Sequence, residues 1–372
     1  MAVRGTTNLR KSHKTDLWMI VLVTALGFSA AACGGGGSGS SGPPSSHRGL
    51  WVPNFFGFTV TAFNADQIAK SGAPNPALTN ESALIDSPEE ALFDGAGNLW
   101  LTNCSDSILG AGTILEFTSD QLKNLSHDPD PNPNVILTDD GSFNIFGCPY
   151  GETFGSDGSL WASNRFSADL INFTPSQLSA GGAQFPNTKI VSSNFSQLEG
   201  IQFDSAGTLW VADFANSDVY GFKAATLAAA EGTTADLVPD IINSSASING
   251  PTDVLVDSSG NQWVSNCFGD TVLEFAASDI ASSGSPTPIV VLSATSVGAS
   301  SSLDCPEGLD FDKKGNLWVS NAISDNFGSI VEFTPSQITT SGNPVPHIFL
   351  DSNSAGTNLN QPALFTFGPT VE

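Results

Sequence analysis

Glu89, Tyr150, Glu199, Thr252 and Glu307 share a setting. Each is the second residue of a recurring segment, and Ala363 holds the same place near the C-terminus. Three of these side chains are carboxylates. If the fold brings Glu89, Glu199 and Glu307 together, they repel one another unless protons or a cation intervene. Oxygen ligands of this kind suit Ca²⁺ or another hard cation, with Asn side chains or water completing the shell. These three glutamates are therefore candidate metal ligands, and plain ionisation into water is the competing reading. A second set, Asn54, Asn103, Asn164, Asp213, Asn266 and Asn321, closes another recurring element. Such a ring can contact a ligand, although Asn and Asp at these places also cap turns with their own side chains. Asp213 is the one acid in the ring and the candidate general base.

Histidine chemistry finds no footing. Beyond residue 33 the histidines are His47, His127 and His347, in a Gly/Ser/Pro tract, a DPDPNP loop and a predicted outer strand. A Ser-His-Asp triad lacks its base for the same reason.

The elements that must position these residues repeat. PEEALFDGAGNLWLTN (88–103), PYGETFGSDGSLWASN (149–164), LEGIQFDSAGTLWVAD (198–213), PTDVLVDSSGNQWVSN (251–266) and PEGLDFDKKGNLWVSN (306–321) are five copies of one pattern. Each copy is an alternating strand, a D-x-x-G type turn and a second strand opening at Trp. A third strand ending in Phe follows, as in ILEFTSDQL or IVEFTPSQI, and then a short fourth run such as IVVL (289–292). Trp51, Trp100, Trp161, Trp210, Trp263 and Trp318 fix the count at six. The first unit starts at GLWVPN (49–54) without a leading strand, while QPALFTFGPTVE (361–372) matches a leading strand with nothing after it. Joined, the two ends complete one unit and remove the exposed edges of an open array. The predicted fold is all-β: a six-bladed propeller over residues 48–372, with four antiparallel strands per blade. The Trp and Phe columns are read as packing between blades, and the turn Asp and Gly as turn chemistry.

The cysteines test this register. Cys104 and Cys267 follow the Asn that ends a second strand, while Cys148 and Cys305 precede the Pro that opens the next first strand. In a propeller the second strand returns to the face from which the first started, so the pairs Cys104 with Cys148 and Cys267 with Cys305 are predicted, each clipping neighbouring blades. Each closed loop of about 40 residues contributes on the order of 4 kcal/mol by chain entropy. The spacing lacks the CxxC pattern of a zinc site.

Composition bounds the partners and the address. The chain has 372 residues, 12 Lys+Arg and 37 Asp+Glu, a net charge of −25. A surface this acidic repels phosphate backbones and disfavours nucleic acid, whereas cationic partners suit it. Residues 1–33 read as an export signal: a basic start through Lys14, an apolar run from Leu17 to Ala32, and small residues before Cys33. Sixteen apolar residues are short for a permanent span of roughly 30 Å. Ser29-Ala30-Ala31-Ala32-Cys33 resembles a bacterial lipobox, which makes Cys33 the candidate lipidation site; ordinary A-x-A cleavage is the alternative. Residues 34–47, GGGGSGSSGPPSSH, form a flexible tether. Disulfides agree with an exported location, in the cell envelope or secreted.

The pattern P-x-G-apolar-x-F-D-x-x-G-N-L-W-V-x-N resembles the NHL-repeat and SMP-30/gluconolactonase group of six-bladed propellers, over nearly the whole chain beyond the leader. That group hosts both enzymes and plain binding scaffolds. The lactonase branch implies a Ca²⁺ on the axis, held by residues preceding Gly at the start of inner strands. Leu198-Glu199-Gly200 and Pro306-Glu307-Gly308 match that motif, whereas Glu90 follows Glu89 and Asp253 stands where Gly is expected. A lyase of the virginiamycin-inactivating kind needs a histidine at the axis, which this reading does not place there. The leading expectation is a monomeric, membrane-anchored extracytoplasmic module binding an unknown protein or small molecule. The alternative is a Ca-dependent hydrolase of lactonase type, with Glu89, Glu199 and Glu307 as ligands and Asp213 as base.

Overall fold

A computed structural model describes residues 49–104, 112–139, 145–297, 300–322, 328–351 and 358–371. The chain divides into two units at Gly36 and Gly37, and all described residues belong to the second. The leader, the tether and Cys33 lie outside the described residues. Among the described residues no helix is long and apolar enough to cross a membrane.

Six sheets form the blades, each counted from its innermost strand. The second blade is Pro88–Phe93, Leu99–Asn103, Thr113–Phe117 and Val135–Thr138; the third is Pro149–Phe154, Leu160–Asn164, Asp169–Phe173 and Thr188–Val191. The fourth is Leu198–Phe203, Leu209–Asp213, Asp218–Phe222 and Ile241–Asn243; the fifth is Pro251–Val256, Gln262–Asn266, Thr271–Phe275 and Val290–Ser293. Pro306–Phe311, Leu317–Asn321, Ser329–Phe333 and Ile348–Asp351 make the sixth. The first blade takes its inner strand, Thr366–Gly368, from the far end of the chain and sets it antiparallel to Gly49–Asn54, with Trp51 opposite Thr366. The ring closes as the matched ends predicted.

Six apolar cores hold the blades together, one at each junction. At the closing junction Trp318 and Ile330 of the sixth blade pack with Leu50, Val52 and Phe63 of the first. The Trp column supplies the specific contact: Trp51, Trp100, Trp161, Trp263 and Trp318 each meet edge-on a Phe of the next inner strand, at ring-centre distances of 5.5–6.4 Å. At the fourth blade the corresponding next inner strand ends in Val256, which packs against the core that holds Trp210. The turn aspartates do more than shape a turn. In Asp94, Asp204, Asp257 and Asp312, one oxygen accepts two main-chain N–H groups at 2.8–3.0 Å. The other accepts the indole N–H of the Trp six residues on, at 3.0–3.4 Å.

The outer edges differ from the expected four strands. Gly182–Ala183 adds in parallel to the outer strand of the second blade, and Thr234–Asp236 to that of the third. Single parallel bridges at Gly72 with Leu350, Gly284 with Asn243 and Gly342 with Leu292 repeat the arrangement. In five places, therefore, the chain leaving a third strand reaches back and covers the edge of the preceding blade, which would otherwise expose unpaired backbone groups.

Candidate functional site at the clipped mouth of the channel

The disulfides Cys104–Cys148 and Cys267–Cys305 both form, each between neighbouring blades. They mark one face of the ring, onto which the second strands end and the first strands begin.

The Asn/Asp ring also lies on that face, and its side chains turn into the loops. Asn103 Oδ1 accepts from Asp86 N at 2.7 Å while its amide donates to Leu84 O at 3.0 Å. Asn266 bonds Asn249 N and Ser247 O in the same way, and Asn321 bonds Asp304 N and Ser302 O. Asn164 donates to Ile145 O, and Asn54 accepts from Asn360 N across the ring closure. Asp213 accepts from the N–H groups of Ser196, Gln197 and Asn216 at 2.8–3.1 Å. Burial raises its carboxyl while these three bonds pull the other way, and the net shift is upward. All six residues are buried. The ring thus pins the loop that leads into each inner strand, and Asp213, the candidate base, has both oxygens engaged by backbone.

The second-residue column is positioned from behind. Thr102, Ser163, Ser265 and Ser320, each one residue before a ring Asn, donate to the carbonyls of Tyr150, Glu199, Glu307 and Ala363 in the following blade, at 2.5–2.8 Å. The glycine after this column is needed because adjacent inner strands nearly touch: a Cβ on Gly151 would lie 2.5 Å from Glu199 O. Glu90 and Asp253 replace that glycine, and each spans the gap with its carboxylate, accepting from Glu152 N and from Leu309 N (2.9 Å) respectively. Asp253 is pushed up to about 8, by burial first. Glu152 stands where other blades place Ala91, Ile201, Val254 and Leu309; both its carboxyl oxygens are buried without hydrogen-bond partners among the described residues, and burial holds it well above the usual range.

At the mouth, the glutamates meet two other groups. The phenol of Tyr150 donates across the ring, from the third blade to the sixth, to Glu307 Oε2 at 2.7 Å. Burial raises the Tyr150 phenol, and the charges of Glu199 and Glu307 add to it, so it stays a donor. Arg165 Nη2 pairs with Glu199 Oε1 at 3.1 Å, and Gln197 donates to the same oxygen at 3.2 Å. The guanidinium carbon lies 5.2 Å from the ring centre of Tyr150 and 5.7 Å from that of Phe214, within cation–π range of both. Burial raises Glu199 and Glu307 further than Arg165, and Tyr150 for Glu307, can lower them. Glu89 is buried in the same neighbourhood, its charge felt by Tyr150 and Glu199.

These residues fit a calcium ion poorly. Among the described residues, two sets of three potential ligand atoms come within 4.8 Å of one another: Glu89 with Cys104 and Cys148, and Glu307 with Cys267 and Cys305. The sulfurs in both are held in disulfides. Glu89, Glu199 and Glu307 do not gather so closely among themselves, and an arginine supplies the positive charge.

Sequence reasoning passed over Arg165, although it is the only arginine beyond residue 48 and follows a ring Asn directly. Around it stand aromatic side chains from the loops of the same face. Phe166 is 73% exposed and Phe268 64%, and Phe268 meets Phe214 at a tilt, their ring centres 4.9 Å apart. Phe56 and Phe58, beyond Asn54, are exposed as well.

No protein-family model matches the chain, and no curated protein matches it in sequence. Its fold does match solved structures. A protein of unknown function from Bacteroides caccae aligns with a TM-score of 0.56 and 11% identity, covering 87% of this chain and 99% of that one. A chain of a nidogen/laminin complex aligns at 0.54 and 11%, over 87% and 99%. A candidate 6-phosphogluconolactonase from Bacteroides fragilis aligns at 0.52 and 13%, over 88% and 100%. At such identities the likeness carries the architecture alone: this chain is a six-bladed β-propeller whose frame is shared by proteins of different kinds.

Proposed function

We propose that this propeller is an exported binding module, anchored through a lipidated Cys33, which holds a protein or small-molecule ligand over the clipped mouth. One observation carries the reading. Across the face the repeated polar residues are consumed by the scaffold, whereas at the mouth a charged network around Arg165 reaches solvent beside the exposed rings of Phe166 and Phe268. Aromatic rings beside a few fixed polar groups are the usual make-up of a recognition surface. The disulfides suit an oxidising compartment, in keeping with export.

The test is a ligand panel read by thermal shift on the exported protein. Hits should be lost in Phe268→Ala and Phe166→Ala but kept in Phe185→Ala, whose exposed ring precedes an outer strand. Hits that survive the first two changes would remove the clipped face from consideration.

The hydrolase alternative has less to rest on, since Asp213 is held by three N–H groups and Glu199 by Arg165. Lactone hydrolysis that requires Ca²⁺ and stops with a chelator would restore it and displace the binding reading.

A further inference from the structure

The two disulfides hold equivalent places in the ring, one between the second and third blades and the other between the fifth and sixth, yet they are not copies. At each, a carboxylate of the second-residue column stands beside the sulfurs: Glu89 with Cys104 and Cys148, Glu307 with Cys267 and Cys305. Glu89 belongs to the earlier of its two clipped blades and Glu307 to the later of its own, so this is not one contact repeated. Exposure separates the clips further. Glu89, Cys104 and Cys148 are all buried. Cys305 and Glu307 are partly exposed, and of that set only Cys267 is buried. Thiol–disulfide exchange needs access to a sulfur. The first clip is sealed against it, whereas the second is open at Cys305.

The carboxylate at the open clip is held as a metal ligand is held. Cys305 Sγ lies 3.6 Å from Glu307 Oε1, while the Tyr150 phenol donates to Oε2 at 2.7 Å. One oxygen is fixed from behind and the other stands by the sulfurs, which is the outer hydrogen bonding that orients ligating carboxylates. Reduced, the two cysteines become thiolate ligands beside that oxygen. Two sulfurs and one carboxylate suit Zn²⁺, with the fourth position left to water.

We propose that Cys267–Cys305 is a redox-gated zinc site, closed as the disulfide and opened by an external dithiol, with Cys267, Cys305 and Glu307 as the ligands. One thiolate of the dithiol attacks Cys305 Sγ; the bond to Cys267 breaks, and Cys267 leaves as a thiolate and takes up a proton. The second thiol of the reagent, deprotonated, then displaces Cys305 and closes the reagent's own disulfide. The protein gains two electrons and two protons, and the dithiol loses the same. Zn²⁺ binds with release of both thiol protons to solvent. This site stands apart from the ligand-binding reading and does not depend on it.

The test treats the exported protein with dithiothreitol, removes the reagent under nitrogen and alkylates the free thiols. Peptide mass mapping should find Cys267 and Cys305 labelled about tenfold faster than Cys104 and Cys148. Titrated against a chromophoric chelator, the reduced protein should bind Zn²⁺ at least about a hundredfold more tightly than the oxidised protein. Co²⁺ in its place should give a thiolate charge-transfer band, which a merely structural clip would not. Glu307→Gln should weaken Zn²⁺ binding by about tenfold or more, and Tyr150→Phe, which removes the positioning bond, by about tenfold. Glu89→Gln should leave it unchanged. Should Tyr150→Phe fold poorly, Glu307→Gln decides alone. Equal labelling of the two clips, no labelling of Cys267 and Cys305, no Co²⁺ band after reduction, or an unchanged Zn²⁺ affinity in Glu307→Gln overturns the inference.

Discussion

The Asn/Asp ring and the glutamate column lie on the same face and descend from the same repeat, yet they differ in kind. Five ring positions are Asn and the sixth is Asp, and all are spent on the loops that feed the inner strands. The column varies: Glu in three blades, and Tyr, Thr and Ala in the other three. What a repeat keeps alike serves the task every blade shares, which is to stand beside its neighbour. What it lets vary cannot be needed for standing, and there the side chains are free to form a site. The difference teaches where to look for function in a symmetric frame.

The comparison can be broken first at the ring. Asp213→Ala strips the acceptor from three main-chain N–H groups in a buried loop and should cost roughly 3 kcal/mol in denaturant unfolding. A loss below about 0.5 kcal/mol would mean the ring does not support the frame.

A smaller effect sharpens the other side, at a position where one blade departs from the rest. Glu152 keeps its proton in the folded protein at a pH where the unfolded chain releases it, near 4.3. The folded state then binds more protons than the unfolded one, so this residue's contribution is most favourable below that pH and declines as pH rises. Glu152→Gln removes the titration. It should leave stability at pH 4 nearly unchanged and raise it at pH 8 by at least ~1 kcal/mol, the equivalent of about one pKa unit. An identical shift at both pH values would refute the account.

The smallest effect belongs to the rim. Phe268 is mostly exposed, and Phe268→Ala should change unfolding free energy by no more than about 0.5 kcal/mol. A larger loss would make it part of the scaffold.

Periodicity decides what was legible in the sequence. The six tryptophans and the turn signals recur, and the two ends of the chain match the halves of one such unit, so the blade number, the closure and both cysteine pairs were legible in the sequence. The added edge strands could not. Gly182–Ala183 and Thr234–Asp236 pair through backbone and carry no apolar alternation. The indole bonds of the turn aspartates were hidden because turn geometry alone already explains those residues. At the site, the column and the face were legible, but their partners were not: Arg165 occurs once, in a loop position filled elsewhere by Phe55, Cys104, Phe214, Cys267 and Ala322. A residue without counterparts gives no pattern to extend.

Tyr150 and Glu307 come from opposite walls of the ring and join over the axis. That single bond ties two opposite blades directly, without passing through the four between them, so it braces the opening against widening at the level where the inner strands begin.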